Sequence, residues 1–239
     1  MAWLGDLRGG GAAPLTCERK FAGPASAAAR AEAVLRARCL PDPEHPRNRI
    51  ASIYFDTPSL SSLAEKENGD ALKTKIRLRW YDDEAGDGTI PAFLEAKRRL
   101  CAARSKARVV ADVSSGWLRQ TPLDDGSFVS FLALWAPKLG LPAGAWTPVC
   151  CISYDRLRFI DPVDGSRVSL DFDIEAPRVN GARFPWASPP VRLDAAVCEF
   201  KNPGGNPPAW AHEMARAGLG FGSFSKYGEL AGILAGRGA

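Results

Sequence analysis

The chain has 239 residues, 46% hydrophobic and 24% charged, with a formal net charge of +4 and a pI near 8.8. That is the composition of an ordinary globular protein, and no apolar run approaches the ~20 residues of a membrane-spanning helix. So mild a charge names no nucleic-acid partner by its sum, which leaves the placement of the charges to carry the information.

Residues 1–14, within "MAWLGDLRGGGAAPL", lack the basic start and continuous apolar core of a signal peptide and read as a frayed tail. Residues 15–239 read as one domain without repeat or linker. A first strand is predicted at about 15–22, where "CERKF" puts Glu18 and Lys20 on one face. A helix follows in "SAAARAEAVLRARCL", with Ser26 as its cap. A strand at about 50–55 leads into "TPSLSSLAEKENG", where Thr57 caps a helix, Pro58 takes its first position and Gly69 stops it.

The next segment, "ALKTKIRLRWY" at 71–81, alternates strictly. Lys73, Lys75, Arg77, Arg79 and Tyr81 share one face, opposite Leu72, Thr74, Ile76, Leu78 and Trp80. Period 2 marks a strand whose faces see different surroundings. Same-face neighbours stand about 6.6 Å apart. Like charges at that distance repel by roughly 0.6 kcal/mol in water and about 2.5 kcal/mol at an effective dielectric near 20. Such a face looks into open solvent or meets anions.

The remaining strands repeat the pattern. At about 90–100, Phe93, Glu95, Lys97 and Arg99 oppose Leu94, Ala96 and Arg98; at about 105–112 come Lys106 and Arg108. The helical stretch "SFVSFLALWAPKLG" ends at Pro137. At about 150–160, Tyr154, Arg156 and Arg158 oppose Asp155, Leu157 and Phe159. At about 167–175, Arg167, Ser169, Asp171, Asp173 and Glu175 oppose Val168, Leu170, Phe172 and Ile174. At about 195–201, Glu199 and Lys201 fall together. Two helices finish the chain, "NPPAWAHEMARAG" between Asn206 and Gly218, and "SKYGELAGIL" capped by Ser225.

Cys17, Cys39, Cys101 and Cys198 are scattered, Cys150 and Cys151 are adjacent, and there is no C-x-x-C. Free thiols in a reducing, cytoplasmic compartment are expected. His45 and His212 have no metal-ligand spacing, so a zinc site is not expected. "RGGGAAP" lacks G-K-[ST] and "GLGFGS" lacks the G-x-G-x-x-G order, which removes the common nucleotide loops.

Many strands with scattered helices predict a mostly antiparallel α+β domain, whose eight strands could close into a barrel with flanking helices. Alternation alone leaves open whether the charged side is the outside or the inside. The helices favour the inside, because their apolar faces need the strands' apolar faces as partners. A basic interior is tolerable only when it holds water and a polyanion.

In this order, "ERKF", "YFDTP", the K-x-K-x-R-x-R-W-Y run at 73–81, "EAKRR", "YDRLRF", "EFK" and "FSKY" resemble VTC domains. These are the polyphosphate polymerase domains of the vacuolar transporter chaperone type, within the triphosphate tunnel (CYTH-like) superfamily. The resemblance runs from about 15 to 232 and rests on the order of the motifs, since none is decisive alone. It implies a closed antiparallel barrel around a basic, water-filled tunnel. It further implies that Lys20, Lys75, Arg77, Arg79, Lys97, Arg156 and Arg167 hold nucleotide phosphates or the growing chain. Lys106 or Arg108 does the same from the next strand, and Arg158, on the face of Arg156, is counted with the substrate-binding residues. Tyr154 is implied to hydrogen-bond a phosphate oxygen, and Glu199 to hold a divalent metal (Mn²⁺ or Mg²⁺) beside Lys201. Ser225 and Lys226 are implied to close one end, where a helix N-terminus also favours an anion. Lys20, Arg77, Arg79, Lys97, Arg156 and Lys226 are the expected catalytic set.

One departure matters. The superfamily often opens with E-x-E-x-K, whereas "TCERK" offers only Glu18 before Lys20, which looks closer to the polymerases than to the triphosphatases. No phosphate-sensing domain of the kind fused to eukaryotic relatives is read before residue 15, and the Ala, Arg, Gly and Pro bias suggests a GC-rich bacterial source. The expected reaction moves the γ-phosphoryl group of ATP onto polyphosphate and releases ADP. No side-chain base is needed, because a terminal phosphate is already an ionised nucleophile. The rival readings are a tunnel-fold triphosphatase or nucleotidyl cyclase, a non-catalytic polyphosphate or inositol-phosphate binding module, and an RNA-binding barrel. The expected partners are ATP and polyphosphate, with no nucleic acid, and a membrane partner left open. An inward cation such as Arg77 or Arg79 is expected to be removable without unfolding the protein, since its loss relieves repulsion.

Overall fold

The computed structural model describes residues 17–82, 88–100, 103–141, 145–202 and 207–237. The expected tail at 1–14 and Asn206 lie outside them. In chain order the elements are β1 (Cys17–Gly23), α1 (Ala28–Arg38), β2 (Leu40–Pro41), β3 (Arg47–Asp56), α2 (Ser61–Glu67) and β4 (Leu72–Tyr81). Next come β5 (Thr89–Leu100), β6 (Ala103–Ser114), α3 (Ser115–Gln120), α4 (Gly126–Trp135), β7 (Thr147–Ile160) and β8 (Arg167–Val179). The last are β9 (Val191–Arg192), β10 (Ala196–Asn202), α5 (Glu213–Arg216), β11 (Gly220–Phe221) and α6 (Lys226–Leu234).

All eight predicted strands form, and three two-residue strands join them in an 11-stranded antiparallel sheet. Its order is β11-β1-β10-β8-β7-β3-β4-β5-β6, with β2 on β7 and β9 on β8. The expected eight-stranded closed barrel is therefore corrected. Among the described residues no ladder joins β6 to β1 or β11, and the sheet is open. Part of the outer edge of β1 is already paired, since β11 meets it at Phe21 and Ala22 and Phe221 packs edge-on to Phe21 at 5.6 Å.

The apolar strand faces sit on the convex side, as the alternation requires. Ile53, Phe55, Ile76, Leu78, Trp80, Leu94 and Val109 pack against Leu118 of α3 and Phe128, Leu132 and Trp135 of α4. Leu157, Phe159, Val168, Leu170, Cys198 and Phe200 pack against Ala31 and Leu35 of α1 and Met214 of α5. Along β4, buried and half-buried residues alternate without a break from Lys73 to Trp80. Two helices do not follow the expected outside placement. Leu63 of α2 and Tyr227, Leu230 and Leu234 of α6 pack on Tyr54, Ile152, Tyr154 and Val197, which lie on the concave face, and so they plug one end of it.

Helix starts differ in detail from expectation. Ser26 falls in a 3-10 turn at Ala25–Ala27, and α1 starts without a side-chain cap. Pro58 precedes α2 in a turn instead of opening it, while Thr57 Oγ1 accepts a hydrogen bond from Ser61 N at 3.0 Å. Gly69 follows α2 at φ +71°, a left-handed position that glycine adopts without strain. Ser225 caps α6 as expected, accepting from Gly228 N at 3.2 Å. β8 is corrected too. Tyr154 of β7 falls between the pairings Asp155–Phe172 and Ser153–Glu175, so β8 carries an extra residue around Asp173, whose φ is +50°. The bulge turns Glu175 to the other face, where it meets Arg49 at 2.8 Å instead of joining Asp171.

A candidate anion-binding trough

The concave face collects the cations of seven strands and one helix around a few carboxylates. On β4, Arg77 donates to Glu95 Oε2 through Nε at 2.8 Å, and Arg79 Nη2 stands 3.9 Å from the same oxygen. From β6, Lys106 (2.9 Å) and Arg108 (2.7 Å) both reach Glu95 Oε1, so the choice left open between them resolves to both facing the trough. Glu95 is 1% exposed. Burial pushes its carboxyl up, but Arg77, Arg79, Lys106 and Arg108 overcome this and hold it well below the usual range.

A second knot lies on β7 and β8. Arg156 grips Asp171 with both arms, at 2.6 and 2.7 Å, and Lys226 of α6 reaches the same carboxylate at 2.5 Å. Burial raises Asp171, yet Arg156 and Lys226 bring it down to about 2. Tyr154 is buried to 2% and forms the floor, with Lys226 Nζ at 4.5 Å and the Arg156 guanidinium at 5.4 Å from its ring. The third knot joins β1 and β10. Lys20 Nζ lies 3.1 Å from Glu18 and 3.8 Å from Glu199, and Lys201 pairs with Glu199 at 2.8 Å. Burial raises the Glu199 carboxyl, but Lys201, Lys20 and Arg156 outweigh it, and the net shift is downward.

Lys75 and Lys97 are cations without such support. Lys75 donates to Ser225 Oγ at 2.9 Å, and no carboxylate lies within ion-pairing reach among the described residues. Burial, then Arg77, Lys20 and Lys226, lower its ammonium to about 7. Lys97 can be reached from the trough, yet its walls and Arg77 lower it to about 8. Arg158 stands nearby, bonded to Asn48 Oδ1 and to the His45 carbonyl at 3.2 Å. Arg167 is exposed where β8 begins, across from Lys201.

Cations thus outnumber the carboxylates Glu18, Glu95, Asp171 and Glu199, and the arrangement is suited to a polyanion. Sequence reasoning assigned no role to Glu95, Asp171 or Glu18. Their signal was an acid standing on an otherwise cationic strand face. For a divalent metal, Glu199 and Glu18 converge on one Lys20 ammonium, a place already built to hold positive charge. No cluster of three His, Cys, Asp or Glu occurs among the described residues. Two carboxylates fit a hard cation whose other ligands are phosphate oxygens and water.

Residues 18–115 match the sequence profile of the VTC domain. This covers less than half of the chain, and "YDRLRF", "EFK" and "FSKY" lie beyond it. No curated protein matches the chain in sequence. Among solved structures, a provisionally assigned adenylate cyclase from Bacillus halodurans aligns with a TM-score of 0.43 at 13% identity, covering 85% of this chain and 87% of its own. A second provisional adenylate cyclase, from Vibrio parahaemolyticus, gives 0.42 at 12% identity, covering 87% and 94%. Likenesses this low establish no activity.

Proposed function

We propose, on the premise that residues 18–115 are a VTC domain, that this protein transfers the γ-phosphoryl group of ATP to the end of a polyphosphate chain and releases ADP. The observation that carries the reading is the run Lys75, Arg77 and Arg79 on the concave face, joined by Lys97, with too few carboxylates to balance it. In this reading Arg77, Arg79, Lys106 and Arg108 bind the phosphates of one substrate. Lys20, Arg156, Arg167, Lys201 and Lys226 bind those of the other, and Ser225 closes the inner end. The chain terminus attacks as an anion, so the residues contribute alignment and charge balance. Glu199 and Glu18 would hold a divalent ion, which when bound supplies positive charge to the phosphate oxygens.

The absence of a described helix long and apolar enough to cross a membrane and the free, buried thiols of Cys39, Cys150, Cys151 and Cys198 are compatible with a cytoplasmic site of action. Incubation with ATP and Mn²⁺, followed by electrophoresis for long phosphate chains, tests the reaction. Polymer is expected. Orthophosphate alone would replace the polymerase with a hydrolase, and no turnover would leave a binding module.

A further inference from the structure

The end of the trough opposite α6 carries groups that phosphate has no use for. Tyr81, two residues beyond Arg79 on the same face, is 38% exposed, and Val110, paired with Phe93 across β5 and β6, is 37% exposed. The Tyr81 ring lies edge-on to Phe93 at 6.0 Å and nearly parallel to His45, with centroids 6.3 Å apart and planes within 19°. Two guanidinium groups frame the cluster, Arg158 at 5.6 Å from the Tyr81 ring and Arg108 at 4.9 Å from Phe93. One step inward, Ser52 Oγ and Arg79 Nε, on residues paired across β3 and β4, are buried with no hydrogen-bond partner among the described residues.

Exposed rings with arginines over them suit a flat, electron-rich heterocycle, not a phosphate chain. Two stacking contacts of about 3.5 Å need some 7 Å between planes. The 6.3 Å between the His45 and Tyr81 centroids is the most their planes can be apart, so admitting a base requires His45, on its exposed loop, to shift outward.

We propose that this mouth is a nucleobase subsite. The base of a nucleoside triphosphate enters between Tyr81 and His45, its ribose and first phosphate meet Ser52 and Arg79, and its remaining phosphates run along Arg77 and Lys75 toward Ser225. The four β4 positions span roughly 20 Å at strand rise, enough for an extended nucleotide. Stacking of this kind accepts any base, so the specificity is for nucleotide over bare triphosphate. The inference rests on the phosphotransferase reading for the direction of the phosphates.

Calorimetric titration of wild type, Tyr81→Ala and Tyr81→Phe with ATP and with inorganic tripolyphosphate tests it, with circular dichroism as the fold control. Tyr81→Ala is expected to weaken ATP about tenfold while leaving tripolyphosphate unchanged, and Tyr81→Phe to behave as wild type. An unaltered ATP-to-tripolyphosphate ratio in Tyr81→Ala overturns the subsite and leaves the trough intact. A wild type that binds tripolyphosphate but not ATP does the same. A wild type that binds neither overturns both readings.

Discussion

Lys75 and Arg77 are two residues apart on one face of β4, yet opposite outcomes are expected on removing them. Lys75 has neighbours Arg77, Lys20 and Lys226 and an ammonium lowered to about 7. The folded state therefore holds its proton less tightly than the unfolded chain, and stability from this group rises as pH climbs from about 7 toward 10. Lys75→Met is expected to melt above wild type at pH 6, with a flatter pH profile from 7 to 10, and to bind tripolyphosphate at least tenfold more weakly. A variant that melts below wild type at pH 6 would contradict this account of Lys75. For Arg77 the sequence led to a variant that stays folded because repulsion is relieved, and the structure adds a cost to its removal. Its partner Glu95 is buried, so Arg77→Ala leaves that carboxylate leaning on Arg79, Lys106 and Arg108. A loss of about 1–3 kcal/mol in urea denaturation is expected. Glu95 itself was legible as an acid on a basic face. That it gathers four cations was not, because two of them come from β6 and their reach depends on strand register.

At the scale of elements, one buried carboxylate fixes both helices that plug the trough. Asp56, at the end of β3, accepts from Ser62 N (2.9 Å) and Leu63 N (3.2 Å) of α2 and from Tyr227 Oη of α6 (2.5 Å). Tyr227 also stacks on Tyr54 at 5.1 Å. The motif "YFDTP" thus serves as an anchor, with Asp56 and Thr57 together satisfying the free N–H groups at the start of α2. Asp56→Ala is expected to cost about 3 kcal/mol in urea denaturation and Tyr227→Phe about 1 kcal/mol. Near-equal stabilities for all three proteins would remove the anchor. Every long strand was legible, since period 2 over seven or more residues is a strong local signal. The bulge at Asp173 was not, because one extra residue changes no composition, only which partner each later residue faces.

For the whole molecule, the open sheet and its surplus of cations make a single expectation. A bound polyanion should raise the ammonium groups of Lys75 and Lys97 from about 7 and about 8 toward ordinary lysine values. Binding near pH 8 should then take up protons, a fraction from each lysine. Titrating tripolyphosphate in buffers of different ionisation enthalpy measures this directly. Heat that does not depend on the buffer would show that the two lysines already carry their charge.

The sequence by itself determined which side chains share a face along an unbulged strand, that cations gather on one and aliphatics on the other, and that Ser225 starts a helix. These follow from backbone geometry over a few residues, where the pleat and the cap act alone. Only the tertiary structure decided that the charged face is concave, that α2 and α6 sit within it, that the sheet stays open, and that Tyr81 and His45 meet at the mouth. Curvature and closure depend on which helices pack against which strands and on which strand edges pair, between segments distant in the chain. A periodicity contains neither.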